Sequence, residues 1–195
     1  MGLRELAKSL PGELRRFAWL EEVLGALLIL TPAVLIWVDS GPDEVRDSIS
    51  AYYNVGTPQA FYVPLTVGAM LFFANGIVRR AHVYNMLLGL ALLGVILFDH
   101  EGATSTLHTI FAVAFFGGNV VVMAFFSTRK SRRLKIAFAV GILVTLALWK
   151  FAHWFTLFWA EWVSLAVIAI HFVLDSVEWS TYRALKPGET PKLAP

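Results

Sequence analysis

The sequence predicts an all-α protein, a polytopic transmembrane bundle of six helices with both termini cytoplasmic. Composition is the first reason. Hydrophobic residues make up 57% of the 195-residue chain and charged residues only 15%, whereas soluble domains carry about 25% charge. Mean hydropathy is +0.66. The second reason is length: six apolar stretches reach or approach the roughly 20 residues that a helix needs to cross the hydrocarbon core. The third is charge, which alternates in sign from one connection to the next.

The first span is predicted over Ala18–Val38. Its apolar run exceeds the roughly 7–15 residues of a signal-peptide core, and no A-x-A cleavage site follows, so it reads as a retained span. The second runs over Phe61–Val78, with Pro58 placed to start it, because proline fits the first turn of a helix. The third, Tyr84–Phe98, and the fifth, Ile136–Phe151, are the short ones and rely on their flanks. The fourth covers Leu107–Phe126 and the sixth Leu157–Val177. Together they define a transmembrane domain over 18–178. It is preceded by an amphipathic cytoplasmic segment, 1–17, and followed by a cytoplasmic tail, 179–195. In 1–17, Leu3, Leu6, Leu10, Leu14 and Phe17 recur at helical spacing among Lys and Arg, a pattern suited to lying on the inner leaflet. The tail ends in the polar, Pro-rich "KPGETPKLAP", which carries too little apolar surface to fold alone.

Of the 16 Lys and Arg residues, 14 fall in 1–17, 79–83, 128–135 and 178–195. Arg46 and Lys150 are the exceptions. The positive-inside rule then places both termini in the cytoplasm, and a bacterial cytoplasmic (inner) membrane is the expected location. The opposite connections are acidic, with Asp39, Asp43, Glu44, Asp47, Asp99, Glu101 and Glu161. The partner this composition implies is the lipid bilayer, with other membrane subunits as candidates and no nucleic acid.

Several chemistries are excluded. No Cys is present, which removes disulfides, thiolate catalysis, Fe–S clusters and Cys-type zinc sites. No Gly-rich phosphate loop of the Walker or Rossmann type occurs. Lys150 is the only Lys read at a span, and it sits at an outer end, so a retinal Schiff base is not expected. Only His171 lies deep in a span, which argues against a bis-His haem. No cofactor is assigned.

What remains is a polar knot, "DSISAYY" at 47–53, in an oily chain. The threading brings Asp47, Ser48, Ser50, Tyr52 and Tyr53 to the height of Asp99, His100, His108, His153 and Glu161. Asp47, Ser48, Ser50, Tyr52, Tyr53, His108 and Glu161 are therefore the candidate ligand-binding set. Three chemical readings compete there. His100 and His108 with Asp99 are candidate metal ligands, since zinc accepts His and carboxylate with an open position. Their spacing matches no H-E-x-x-H motif. Ser48 or Ser50, activated by His108 and oriented by Asp99, would make a nucleophilic site, although no G-x-S-x-G elbow surrounds either Ser. The plain reading is structural. Asp47 or Ser48 caps a short turn, Gly56 permits positive φ, Pro58 starts the next helix, and Tyr and Trp settle at the interface. Trp149, Trp154, Trp159 and Trp162 read as an aromatic belt. A second set lies inside the membrane: His171 with Asp175 one turn later, and Asn75 and Asn119 at comparable depth. Ionisable groups within spans are functional candidates, and an interhelical hydrogen-bond clamp is the plain alternative.

"SISAYY" at 48–53, "LH" at 107–108 and "FWAEW" at 158–162 resemble motifs of small uncharacterised bacterial six-span membrane proteins. The likeness covers roughly residues 45–180. It matches Ser48, Ser50, Tyr52, Tyr53, His108 and Glu161 and brings no activity with it. The chain is more loosely similar to the DRAM-like six-span proteins. A more distant likeness is to the superfamily of alkaline ceramidases and progestin-type receptors, which implies Ser, Asp and three His around zinc. The chain departs from that pattern in span number and in having "HFVLD" where the last span would carry H-x-x-x-H.

The leading expectation is a non-enzymatic multi-pass protein. It would bind a lipid or small molecule at its non-cytoplasmic mouth, or serve as an accessory subunit of a larger membrane complex. A metal-dependent hydrolase with a non-cytoplasmic Asp/His/Ser site is the alternative. Proton or ion transport through His171 and Asp175 is a further one.

Overall fold

The computed structural model describes residues 19–39, 45–53, 57–78, 83–126 and 131–185. The segment 1–17, Gly56 and the end of the tail lie outside them. The described residues form six α-helices and no strand. They are α1 (Trp19–Asp39), α2 (Gln59–Val78), α3 (Val83–Leu97), α4 (Ser105–Phe125), α5 (Arg132–Ala147) and α6 (Leu157–Leu185). All six expected helices are present, each displaced by a few residues. The largest displacement is at the end, where α6 runs on to Leu185, past the boundary drawn at 178.

Each helix follows from a buried stripe at helical spacing. In α1 the stripe is Glu21, Leu24, Leu28, Thr31 and Leu35. In α4 it is His108, Phe115, Asn119 and Val122, and in α5 Lys135, Ala139 and Ile142. The opposite faces are apolar and exposed: Leu30, Trp37, Val63, Leu87, Val113, Phe125 and Val140 all point outward. Soluble bundles place charge on that face. Here the outside is oil-compatible and polar groups are buried, as in a protein dissolved in lipid.

Five of the helical stretches are long and apolar enough to cross a membrane. The fifth, expected to be short, qualifies because a π turn, Leu148–Ala152, extends α5. The third stays short. At 15 residues, α3 is about 22 Å long, against a hydrocarbon core of about 30 Å.

The helices form a closed ring. Each packs against its chain neighbours, and α1 closes the ring against α6. Side-chain pairs give the sense of the closure. Glu22 meets Ser176, Gly25 meets Ala169 and Val173, and Trp162 meets Ile29, so numbering rises in one helix as it falls in the other. An even number of antiparallel helices brings the last beside the first in this way. It also leaves two ends. The mouth carries the 45–53 loop; the base is where α1 begins and α6 finishes. At mid-height Phe72 of α2 packs edge-to-face on Phe115 of α4 and Phe172 of α6, at 5.6 and 5.0 Å between centroids. That aromatic centre fills the ring.

Pro32 lies inside α1. It has no N–H to donate to the preceding turn, and its ring pushes the nearby carbonyls out of line. Two partners lie at that turn. Thr31 Oγ1 donates to Leu27 O at 2.6 Å, and Trp162 Nε1 donates to Ile29 O at 3.0 Å. This turn of α1 is therefore tied to α6.

Close approach of α3 to α2 depends on Gly89, where a Cβ would lie 2.8 Å from the Ala69 carbonyl oxygen and 3.1 Å from Phe72 Cβ. Backbone cannot step aside as a side chain can. Gly89→Ala is therefore expected to cost about 1–3 kcal/mol. Gly117→Ala, with open space around its Cβ, should be neutral or stabilising by up to about 1 kcal/mol. Reversible unfolding in mixed micelles measures both, and equal losses would contradict this packing.

Candidate functional site

The mouth is built on a fixed loop. Ser48 Oγ accepts from Ala51 N at 3.1 Å, at a single 3₁₀ turn over Ser50–Tyr52. The Ser48 and Ser50 hydroxyls share a hydrogen bond at 3.1 Å. Tyr52, 1% exposed, packs on Phe158, and its hydroxyl accepts from Arg46 N at 3.2 Å. Arg46 in turn pairs with Asp39 at 2.7 Å. Asp47 contributes its backbone rather than its carboxylate, accepting from Phe158 N at 2.7 Å.

Glu161 is the anchor. It occupies the first turns of α6, and its Oε2 accepts from Ile49 N at 2.7 Å across 112 residues of chain. Both partners are buried. A buried N–H has no water to turn to, so losing this acceptor is costly, and Phe158 N on Asp47 O adds a second tie within one turn of α6.

Beside this loop lies a partly open cavity of about 160 Å³. Its depth comes from the short third helix. His108, three residues into α4, places Nδ1 2.9 Å from Phe98 O at the end of α3. The α3 terminus thus sits about a turn below the α4 terminus. The chain from Phe98 to Thr104 spans that step, with Gly102 at φ +73° and Asp99 N donating to Thr104 Oγ1 at 3.1 Å. Phe61, Val95 and Ile96 line the apolar part of the cavity; Ser50, Tyr53, Tyr62, Asp99, His100 and His108 supply polar groups. Tyr53 meets His100 edge-on at 5.4 Å, and the His100 and His108 rings are 6.1 Å apart. Asp99 Oδ1 and His100 Nδ1 are buried and have no hydrogen-bond partner.

The fold therefore brings Ser50, Tyr53, Asp99, His100 and His108 around one cavity. Ser48, Tyr52 and Glu161 support it from behind. His153 does not join them. It is exposed, in the α5–α6 connection, with φ at +53°, a left-handed conformation that His tolerates better than most residues. Asp99 and His108 are not joined as a nucleophilic relay needs, because His108 Nδ1 is taken by a backbone carbonyl. Among the described residues no three His, Asp or Glu side chains converge as a metal-binding group.

The second polar region is at the base, and sequence reasoning saw half of it. His171 Nε2 lies 3.7 Å from Asp175 Oδ2, as the one-turn spacing implies. The partner it missed is Lys135, fully buried, which forms an ion pair with Asp175 and lies 3.5 Å from Glu178. Lys135 had been assigned to a connection; it is in the first turn of α5, on the buried stripe with Ala139 and Ile142. That i, i+4, i+7 spacing is the signal that would have found it, and Lys150 is thus not the only Lys at a span. Asn75 is likewise one member of a relay: its Nδ2 donates to Glu21 Oε1 at 2.6 Å and its Oδ1 accepts from Asn85 at 2.8 Å. Asn119 stands apart, donating to Phe115 O of its own helix.

An all-helical ring with an apolar exterior and polar groups held at its two ends defines a helical membrane protein. The chain belongs to a family of unknown function, DUF7103, whose model matches residues 30–176. That span includes the mouth loop, the cavity and Glu161. No curated protein and no solved structure matches the chain.

Replacing Glu161 tests the anchor. Glu161→Leu leaves the Ile49 N–H buried without an acceptor, at a cost of about 1–3 kcal/mol. Glu161→Gln keeps an acceptor and should cost less. Hydrogen exchange of amides 47–53 is expected to rise in the Leu variant and to change little in the Gln variant.

Proposed function

We propose that the protein is a non-enzymatic membrane protein that binds, at its mouth, a small molecule or lipid headgroup carrying an ammonium group. The cavity wall carries the argument. Among the described residues, Asp99 Oδ1 has no hydrogen-bond partner, and no Lys or Arg lines the cavity. A buried acceptor of this kind favours a ligand that donates hydrogen bonds and carries positive charge. Tyr53, Phe61, Tyr62 and Phe98 are aromatic, and aromatic faces attract organic cations. The volume suits a headgroup fragment rather than a whole lipid: liquid water occupies about 30 Å³ per molecule. The Ser48, Ser50 and His108 side chains are engaged in holding the loop and the α3 end, which supports binding over hydrolysis.

The same reading includes orientation. With 14 of the 16 Lys and Arg residues in the segments that lead to the base, the base faces the cytoplasm and the mouth faces away from it. Because the chain has no Cys, His153→Cys provides a single exposed reporter. A membrane-impermeant thiol reagent applied to intact cells should label it; labelling only after lysis would reverse the orientation.

Binding is tested on purified protein in nanodiscs. Free ethanolamine should bind by calorimetry, and phosphatidylethanolamine should be retained by native mass spectrometry. Asp99→Asn is expected to weaken either by at least tenfold, since hydrogen bonds to charged groups contribute about 1.5–3 kcal/mol. Ethanolamine alone identifies a free amine as ligand, and lipid retention alone identifies a headgroup. Neither, or equal binding of ethylene glycol and ethanolamine, overturns the proposal.

A further inference from the structure

The base of the ring holds a second candidate site, independent of the mouth. His171 is 2% exposed, and its Nδ1 has no hydrogen-bond partner. Its Nε2 faces Asp175 Oδ2 at 3.7 Å, longer than a hydrogen bond. The other oxygen of the same carboxylate pairs with Lys135, which is wholly buried. Asp175 and Glu178 have partly exposed side chains, 29% and 20%. His171 is therefore the buried member, while Asp175 and Glu178, each nearer the end of α6, are partly exposed.

The charged groups that act on His171 are Asp175, Glu178 and Lys135. On the remaining walls, Glu22 of α1 accepts from Ser176 at 3.2 Å, Glu21 of α1 accepts from Asn75 of α2, and α4 presents Asn119. Toward the mouth the path ends. Phe72, Phe115 and Phe172 fill the ring at the level of His171. Beyond them come Leu65, Ala69, Leu165 and Ile168, all buried. From His171 to Glu161, about 15 Å along α6, no titratable side chain of any described helix lines the core. Ser164 and Thr31 occur in that interval, and each hydroxyl donates to a carbonyl of its own helix.

We propose that His171, Asp175 and Lys135 form a proton-accepting site reached from the base and closed toward the mouth. In the resting form His171 is neutral, with its proton on Nε2 toward Asp175. Acidification at the base adds one proton from water at Nδ1. The resulting imidazolium draws on the carboxylate that Lys135 also holds, so Asp175 is shared between two cations. The site binds a proton without passing it across the membrane. This sets it apart from a transport pathway, which would need a second set of groups above the phenylalanines.

The test uses the full chain in nanodiscs with ¹⁵N-labelled histidine. His171→Gln identifies the resonance. The His171 nitrogen shifts should convert from neutral to imidazolium as pH falls from about 8 to 5, the range in which histidine switches. At pH 5 the imidazolium fraction should fall in Asp175→Asn, which removes the attracting charge, and rise in Lys135→Gln, which removes the competing one. A His171 that stays neutral throughout overturns the proposal, and this arm needs no variant to fold beyond the one used for assignment. Changes in the same direction in both charge variants also overturn it. Wild-type proteoliposomes under a pH gradient should show no protein-dependent proton flux; a flux abolished by His171→Gln would overturn closure toward the mouth and favour transport.

Discussion

Hydrocarbon offers no hydrogen bonds, and that single constraint orders this molecule. At membrane depth a backbone N–H or C=O has only the chain itself for a partner. Backbone groups find theirs within helices, so the described chain is helical throughout its spans. Hydroxyls such as Thr31 and Ser164 turn back on their own helix, while several longer polar side chains reach across to a neighbour. Asn75 therefore sits between Glu21 and Asn85, and Lys135 against Asp175. Near Pro32, Trp162 of the neighbouring helix donates to the Ile29 carbonyl.

The same constraint separates the two ends from the middle. Between them the core is aromatic and aliphatic, centred on Phe72. At the ends polar side chains cluster, but they do different things. At the base, charges neutralise one another in pairs that cross α5 and α6. At the mouth, Glu161 holds the backbone of a loop. A carboxylate spent on an N–H orients seven residues at once, because the loop's turn, its Tyr52 contact and its Asp47 carbonyl all follow from where Ile49 is pinned. The cavity beside the loop is a by-product of unequal helix length, with α3 ending below α4.

The helices were legible because hydropathy and periodicity are local properties. The six apolar runs, the helix start at Pro58 and the His171–Asp175 spacing are all fixed within a few residues of chain. Grouping Asp99, His100 and His108 at one height was legible too, since short connections leave little choice. The pairing of Lys135 with Asp175 was not, because a boundary drawn at 135 hid a helical position behind a run of basic residues. Glu21 was missed for a similar reason: an acid at the start of a span reads as a surface residue until the stripe Glu21, Leu24, Leu28 is traced.

By itself the sequence determined that this chain is an all-helical membrane protein, and which residues would stand near each end. Composition and period suffice for that, because lipid imposes the same demand on every span. Tertiary structure alone decided what those residues do. It set Glu161 against the backbone of "DSISAYY", gave His108 Nδ1 the Phe98 carbonyl as its partner, and placed Asp99 and His100 at the wall of a cavity. Hydrogen bonds depend on distances of tenths of an ångström between residues as far as 112 positions apart, and only the packing of the ring sets those distances.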